Sequence, residues 1–300
     1  MSQVDAAVGA LRSAVVGRTR EIELIIAALD TGRHVLLEGP PGTGKSTVLR
    51  AVAGAYGLGL VFVEGNAELT PARLTGAFDP AQVISQGYDP SIFVDGPLVD
   101  ALRRGALLYI EEINRIPEET LNLLITVMSE GELHIPRLGR IMADPRFRLV
   151  AAMNPFDAVG TARISSAIYD RICRVAMGYQ PEDEEQAIVL REAPGGDPVL
   201  AARAVRVVRA TRSHPDVRIG ASIRGAIDLV LIAGRLAQLR GVGPSDADVG
   251  IDAALTALAG RIRPHEGADA DAEDIIRKLW AQAARDADAD REDASRSGKG

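Results

Sequence analysis

The 300-residue chain is poor in several things, and each shortage excludes something. It has one cysteine, Cys173, so no internal disulfide can form, and nothing in the composition points to an oxidising compartment. Aromatics are 4% of the residues, which leaves Leu, Ile, Val and Ala to fill the core. Lysine is the scarcest charged type: of 34 basic residues, only Lys45, Lys278 and Lys299 are not Arg. Long apolar runs are missing too. Residues 226–234 are interrupted by Asp228 and fall far short of the ~20 apolar residues a membrane-spanning helix needs. The N-terminus lacks the basic start and apolar stretch of a secretory signal. Forty-one acids bring the net charge to −7, which argues against a nucleic-acid coat protein and against attraction to anionic membrane. A cytoplasmic, soluble protein is expected.

What is present reads as an ordinary globular chain, 47% apolar and 25% charged, long enough for two domains. Val4, Val8, Leu11 and Val15, then Ile22, Ile25, Ile26 and Leu29, fall at helical spacing. Short apolar runs at 34–38, 60–63, 106–110, 149–153 and 174–177 predict five strands, separated by helical segments. That alternation implies a parallel sheet covered on both faces. After Tyr179 only helical periodicity remains, broken at Pro194-Gly-Gly196, His214-Pro215, Gly241-Val-Gly-Pro244 and Arg263-Pro264. The expected organisation is a core over residues 1–180, an all-helical domain over 181–282 and a disordered tail over 283–300, where apolar side chains are nearly absent.

Between the first expected strand and the next helix lie Gly39, Pro40, Pro41, Gly42, Thr43, Gly44, Lys45, Ser46 and Thr47. The first eight satisfy G-x-x-x-x-G-K-[ST], and the strand-before, helix-after context separates this string from a chance Gly/Pro turn. The glycines let successive N–H groups curl around an anion, and the helix start turns its positive end to the same phosphates. Lys45 can reach the β- and γ-phosphates of ATP, and Ser46 can ligate Mg²⁺. The third expected strand ends in Glu111 and Glu112. In a parallel sheet the carboxyl ends of the strands open on one crevice, so both carboxylates are expected near the phosphates. One can hold Mg²⁺ through its waters while the other deprotonates the attacking water. Asn154 directly follows the fourth strand, where an amide can touch the γ-phosphate or simply cap a loop before Pro155.

Taken in order, Val16-Gly17-Arg18, the Gly39–Ser46 loop, Leu107-Leu-Tyr-Ile-Glu-Glu-Ile-Asn-Arg115, Ala151-Ala-Met-Asn-Pro155, Asp170-Arg171 and Gly220-Ala-Ser-Ile-Arg224 resemble an AAA+ ATPase, most closely of the MoxR type. The resemblance covers residues 5–265. It implies an α/β fold: a P-loop αβα core with a five-stranded parallel sheet, then a small all-helical lid. It implies assembly into a ring, usually a hexamer, with Mg²⁺ and ATP bound at each site. Lys45 and Ser46 would serve phosphate and Mg²⁺, Glu112 would be the catalytic base, and Asn154 the polar sensor of the γ-phosphate. Arg224 would reach the γ-phosphate from the lid, and Val16 and Gly17 would flank the adenine. Arg171 would be an arginine finger for the neighbouring subunit, with Arg174 as the competing candidate. The family's acidic pair is commonly Asp-Glu; Glu111 departs from it by one methylene and puts the hydrolysis rate in question.

Two segments exceed a minimal core. Residues 75–102 resemble the helix-2 insertion of this clade, and 130–141 resemble the hairpin that precedes the Asn sensor. Tyr88, Phe93, His134 and Arg137 are their candidate contacts with a substrate, or their anchors on the core. The four histidines lack ligand spacing, Cys173 reads as a small core residue, and Trp280 as a staple of the last helix. The resemblance implies remodelling or maturation of a protein client with a von Willebrand factor A domain partner. A nucleic-acid motor of related architecture and a slowly hydrolysing ATP-binding switch are the alternatives.

Overall fold

A computed structural model describes Leu11 and residues 14–155, 164–244 and 246–297, with side chains to 286. Val4 and Val8 lie outside the described residues. The chain divides into two units, Met1–Tyr179 and Gln180–Gly300.

In unit 1, helix α1 (Thr19–Asp30) precedes strand β1 (His34–Glu38), and α2 (Lys45–Ala55) leads to β2 (Leu60–Glu64). A first excursion follows: α3 (Pro71–Thr75), β3 (Gly76–Phe78), α4 (Pro80–Gln86) and β4 (Phe93–Asp95), with β3 and β4 antiparallel. Next come α5 (Pro97–Arg104), β5 (Leu107–Glu111), α6 (Glu118–Glu130) and a hairpin of β6 (Glu132–Ile135) with β7 (Gly139–Met142). Strand β8 (Arg148–Met153), the short α7 (Ser166–Tyr169) and β9 (Ile172–Ala176) complete the unit. The sheet order is β2-β5-β8-β1-β9 and every pairing is parallel. The five strands therefore match the five expected apolar runs to within two residues at each end.

Alternation along each strand decides which helices cover which face. Val35, Leu37, Leu107, Tyr109, Val150 and Ala152 pack with Ile22, Ile25 and Leu29 of α1 and Val48, Leu49 and Val52 of α2. Leu36, Leu108, Ile110, Leu149 and Ala151 pack on the other side with Leu98 and Leu102 of α5 and Leu121 and Leu124 of α6. This is the αβα sandwich the pattern called for. Cys173 corrects an expectation: β9 is an edge strand, and its second residue faces outward, so the thiol is exposed rather than in the core. His34 has a structural partner: its Nδ1 accepts the Leu149 N–H at 2.9 Å. Burial, helped by the Arg148 charge, lowers its pKa to about 4, so it packs as a neutral ring.

Unit 2 contains α8 (Glu182–Glu192), α9 (Pro198–Ser213), α10 (Ile223–Arg240), α11 (Ala247–Leu258) and α12 (Ala272–Ser297). At two of the expected breaks the chain forms a small antiparallel bridge, β10 (Val217–Ile219) with β11 (Arg263–Pro264). Trp280 is buried in the helical core and Arg203 stacks on its ring at 3.8 Å. The tail expected to be disordered from residue 283 continues instead as helix to Ser297. Its Ala, Arg, Glu and Asp content lacks core formers, but Ala, Arg and Glu are strong helix formers.

The carboxylates at 182–185 look like complements to a helix dipole, and one of them has a second role. Glu185 is 2% exposed, with Arg212 at 2.7 Å and Arg209 at 3.1 Å. Removing one member of a buried ion pair strands the other. Glu185→Ala should destabilise unit 2 by about 3 kcal/mol. Urea unfolding followed by Trp280, the single tryptophan, would check this; an unchanged midpoint would contradict it.

Candidate functional site

The loop between β1 and α2 takes its shape from two glycines. Gly42 and Gly44 hold φ of 76° and 82°, a region a side chain disfavours, and α2 then begins at Lys45. Lys45 is 9% exposed and its Nζ donates to Gly39 O at 2.8 Å and Pro40 O at 2.9 Å. The ammonium is thus held over the loop, whose geometry suits an anion. Thr43 is buried and its hydroxyl donates to Pro40 O, whereas Thr47 is exposed on the first turn of α2.

Strand β5 brings the acids to this loop. Ser46 Oγ donates to Glu111 Oε1 at 2.9 Å and lies 3.1 Å from the Tyr109 hydroxyl. Burial pushes the Tyr109 phenol up to about 12. The extra methylene of Glu111 therefore does not keep it from Ser46. Glu112 leaves the strand in a left-handed conformation, φ 55°, and its Oε2 pairs with Arg115 Nε at 2.6 Å. The approach of β2 is so close here that a Cβ on Gly65 would lie 2.4 Å from Glu112 O. A hydroxyl beside a carboxylate at a strand end, oxygen donors only, suits Mg²⁺, which takes one or two protein ligands and leaves the rest to phosphate and water. Among the described residues no cluster of three or more His, Cys, Asp and Glu competes for a metal.

The remaining expected residues divide by position. Asn154 is half-buried directly after β8, next to β1 in the sheet and hence at the same end as the phosphate loop. Val16 and Gly17 are half-buried before α1. Arg18, the third residue of the same motif, had no role assigned from the sequence; it is 7% exposed and does the fastening. Its Nη2 donates to Thr43 O in the phosphate loop and to Gly178 O beyond β9, and its Nη1 pairs with Glu21 at 2.9 Å. Arg171 is not brought to the loop. It precedes β9, at the opposite end of the sheet, where it donates to Ser129 Oγ and Ala167 O. Arg174 is ion-paired with Glu38 at the end of β1. Arg224 is exposed on the first turn of α10 in unit 2. In the two excursions, Arg137 stacks over the Tyr88 ring at 3.7 Å, and Phe78 makes edge contacts with Tyr88 and Phe93. His134 is exposed.

Of the residues missed, Tyr109 carried a signal: two positions before Glu111 on a strand, it must share that face. Arg18 and Arg115 stood inside the quoted motifs, but nothing beyond their charge pointed to these partners.

Residues 34–172 match the model of the AAA domain, dynein-related subfamily. Protein YeaC of Bacillus subtilis is 30% identical over 261 residues, 78% of each chain. The gas vesicle ATPase GvpN1 of Halobacterium salinarum is 30% identical over 209 residues, which span 64% of this chain but 60% of that relative. Among solved structures, the RuvB Holliday junction branch migration motor of Thermotoga maritima superposes with a TM-score of 0.55 at 19% identity, over 83% of this chain and 73% of that one. NtrX of Brucella abortus in complex with ADP gives 0.54 at 20%, over 83% and 56%. At such identities the structures speak for the fold. The αβα sandwich, the phosphate loop joined to an acidic strand end, and the sequence relatives together place the chain: it belongs to the AAA+ ATPases of the MoxR type, enzymes that hydrolyse ATP.

Proposed function

We propose that this ATPase works as a subunit of a cytoplasmic ring, a hexamer, which couples Mg²⁺-ATP hydrolysis to remodelling or maturation of a protein client, with a von Willebrand factor A domain protein as partner. Residues 1–180 act as the nucleotide-binding core and 181–282 as its lid. Lys45 and the N–H groups of Gly42–Thr47 bind the triphosphate in the loop that Gly39, Pro40 and Pro41 open, and Val16 and Gly17 flank the adenine. Ser46 and Glu111 hold Mg²⁺, which when bound neutralises charge on the phosphates. Glu112 accepts the proton of the attacking water, Asn154 orients that water against the γ-phosphate, and Arg224 reaches the γ-phosphate from the lid.

The observation that carries the ring reading is the position of Arg171. Strands β1 and β9 run parallel, the phosphate loop follows the last residue of β1, and Arg171 precedes the first of β9. Five residues of strand put them roughly 16 Å apart along the sheet. An Arg at that end is out of reach of its own phosphates but available to a neighbour's. Arg174, tied to Glu38 in the same subunit, is the weaker candidate.

Arg171→Ala should lower turnover by ~10³ while nucleotide binding is retained. Mixing it with Lys45→Ala subunits, which lack a working loop but carry Arg171, should restore part of the activity. Wild-type turnover in Arg171→Ala, or no recovery on mixing, would defeat the ring reading. The named gas vesicle ATPases among the relatives favour a client other than nucleic acid, in line with the net charge of −7. Stimulation of turnover by DNA, and not by a co-purified protein, would reverse that preference.

A further inference from the structure

We propose that Tyr109 is a positioning residue for the metal ligand Ser46: its phenol fixes the serine hydroxyl so that one lone pair is left for Mg²⁺. The inference rests on the reading above that Ser46 and Glu111 hold the metal.

Hydrogen-bond inventory limits the arrangements of the contacts. Ser46 has one hydroxyl proton and two lone pairs, and Glu111 as a carboxylate only accepts. Ser46 Oγ lies 2.9 Å from Glu111 Oε1. The Tyr109 phenol lies 3.1 Å from Ser46 Oγ, a contact that can run in either direction, and it also hydrogen-bonds the Glu111 carboxylate. The two hydroxyl protons are thus shared among three oxygens, with Glu111 as the final acceptor. In each arrangement the serine oxygen is held by its neighbours and keeps at least one lone pair. A free serine hydroxyl rotates; this one is held.

The fold supplies the holding. Tyr109 and Glu111 are two residues apart on β5 and share the face that looks at α2, where Ser46 sits on the first turn. The Tyr109 side chain is fully buried in the layer formed with Val48, Leu49 and Val52 of the same helix. Its register partner on β2 is Phe62, whose ring lies 5.7 Å away, and its partner on β8 is Val150. The ring cannot swing away without emptying that layer, so the phenol oxygen is as fixed as the sheet. The same strand thus provides both groups that orient Ser46.

The test compares Tyr109→Phe, which keeps the ring and its packing, with Ser46→Ala and the double variant. The readouts are binding of a fluorescent ADP analogue as Mg²⁺ is titrated, binding of the same analogue in EDTA, and Mn²⁺ bound in the presence of ADP by electron paramagnetic resonance. Tyr109→Phe should raise the Mg²⁺ concentration at half-effect by about three- to tenfold, the worth of one neutral hydrogen bond, and leave binding in EDTA unchanged. Ser46→Ala should shift it further, and adding Tyr109→Phe to Ser46→Ala should shift it no more. If Ser46→Ala moves the Mg²⁺ dependence and Tyr109→Phe does not, Tyr109 has no positioning role although the metal reading stands. If Ser46→Ala leaves the Mg²⁺ dependence unmoved, both readings fall. A Tyr109→Phe effect that persists undiminished in the double variant, or that appears equally in EDTA, would show a packing effect and overturn the proposal.

Discussion

Glu112→Gln should reduce ATP turnover by about 10²- to 10⁴-fold and leave nucleotide affinity within about twofold. The substitution changes one atom, so the left-handed turn at φ 55° and the close fit of Gly65 against Glu112 O are retained. An amide oxygen can still accept from Arg115, so the loop geometry survives as well. What is lost is the capacity to take a proton from water at the moment of attack. The Ser46–Glu111 pair and Lys45 remain, so phosphate binding should persist. Phosphate release under single-turnover conditions, alongside titration with a fluorescent nucleotide, separates the two effects. Loss of binding equal to the loss of turnover would mean that Glu112 is structural. Turnover near wild type would move the base elsewhere, with Glu111 the nearest carboxylate.

Lys45→Ala should weaken nucleotide binding by about 100-fold or more. Hydrogen bonds from a charged donor are worth about 1.5–3 kcal/mol each, and two phosphate contacts at the lower figure amount to two decades. The buried ammonium donates to Gly39 O and Pro40 O, so alanine also strips those carbonyls of their donor. Lys45→Arg separates these contributions. The guanidinium keeps the charge, but it is a planar fork where the loop is fitted to a compact point charge. Affinity near wild type in Lys45→Ala, measured by calorimetry, would remove the loop from the binding site.

Much of the fold was legible because buried parallel strands are written as plain apolar runs. Leu107-Leu-Tyr-Ile110 is such a run, and its end gives the position of the acids without further information. The phosphate loop was legible for a related reason: a backbone-wrapped anion needs glycine where φ is positive, and Gly42 and Gly44 are there. Side-chain pairings were not legible. That Arg18 would lace Thr43 to Gly178 depends on residues 160 apart meeting, which no local pattern encodes. The last helix was misread because sparse apolar content marks both disorder and a solvated helix. Cys173 was misread because strand spacing gives the alternation but not which strand ends up at the sheet's edge.

The strand order has a consequence for how the molecule comes into being. Strand β1, which carries the phosphate loop, is synthesised first but has no sheet neighbour among the strands that follow it directly. Its partners are β8 and β9; Leu149, whose amide seals against His34, is 115 residues downstream. On the ribosome the loop's own strand must wait for them. Until residue 176 has emerged, the cradle has no walls, and loop-closure entropy weighs against early pairing. Formation of the nucleotide pocket is therefore a late, long-range event in the birth of this domain, and a polymerised chain cut short of β8 carries the phosphate-loop sequence without the pocket.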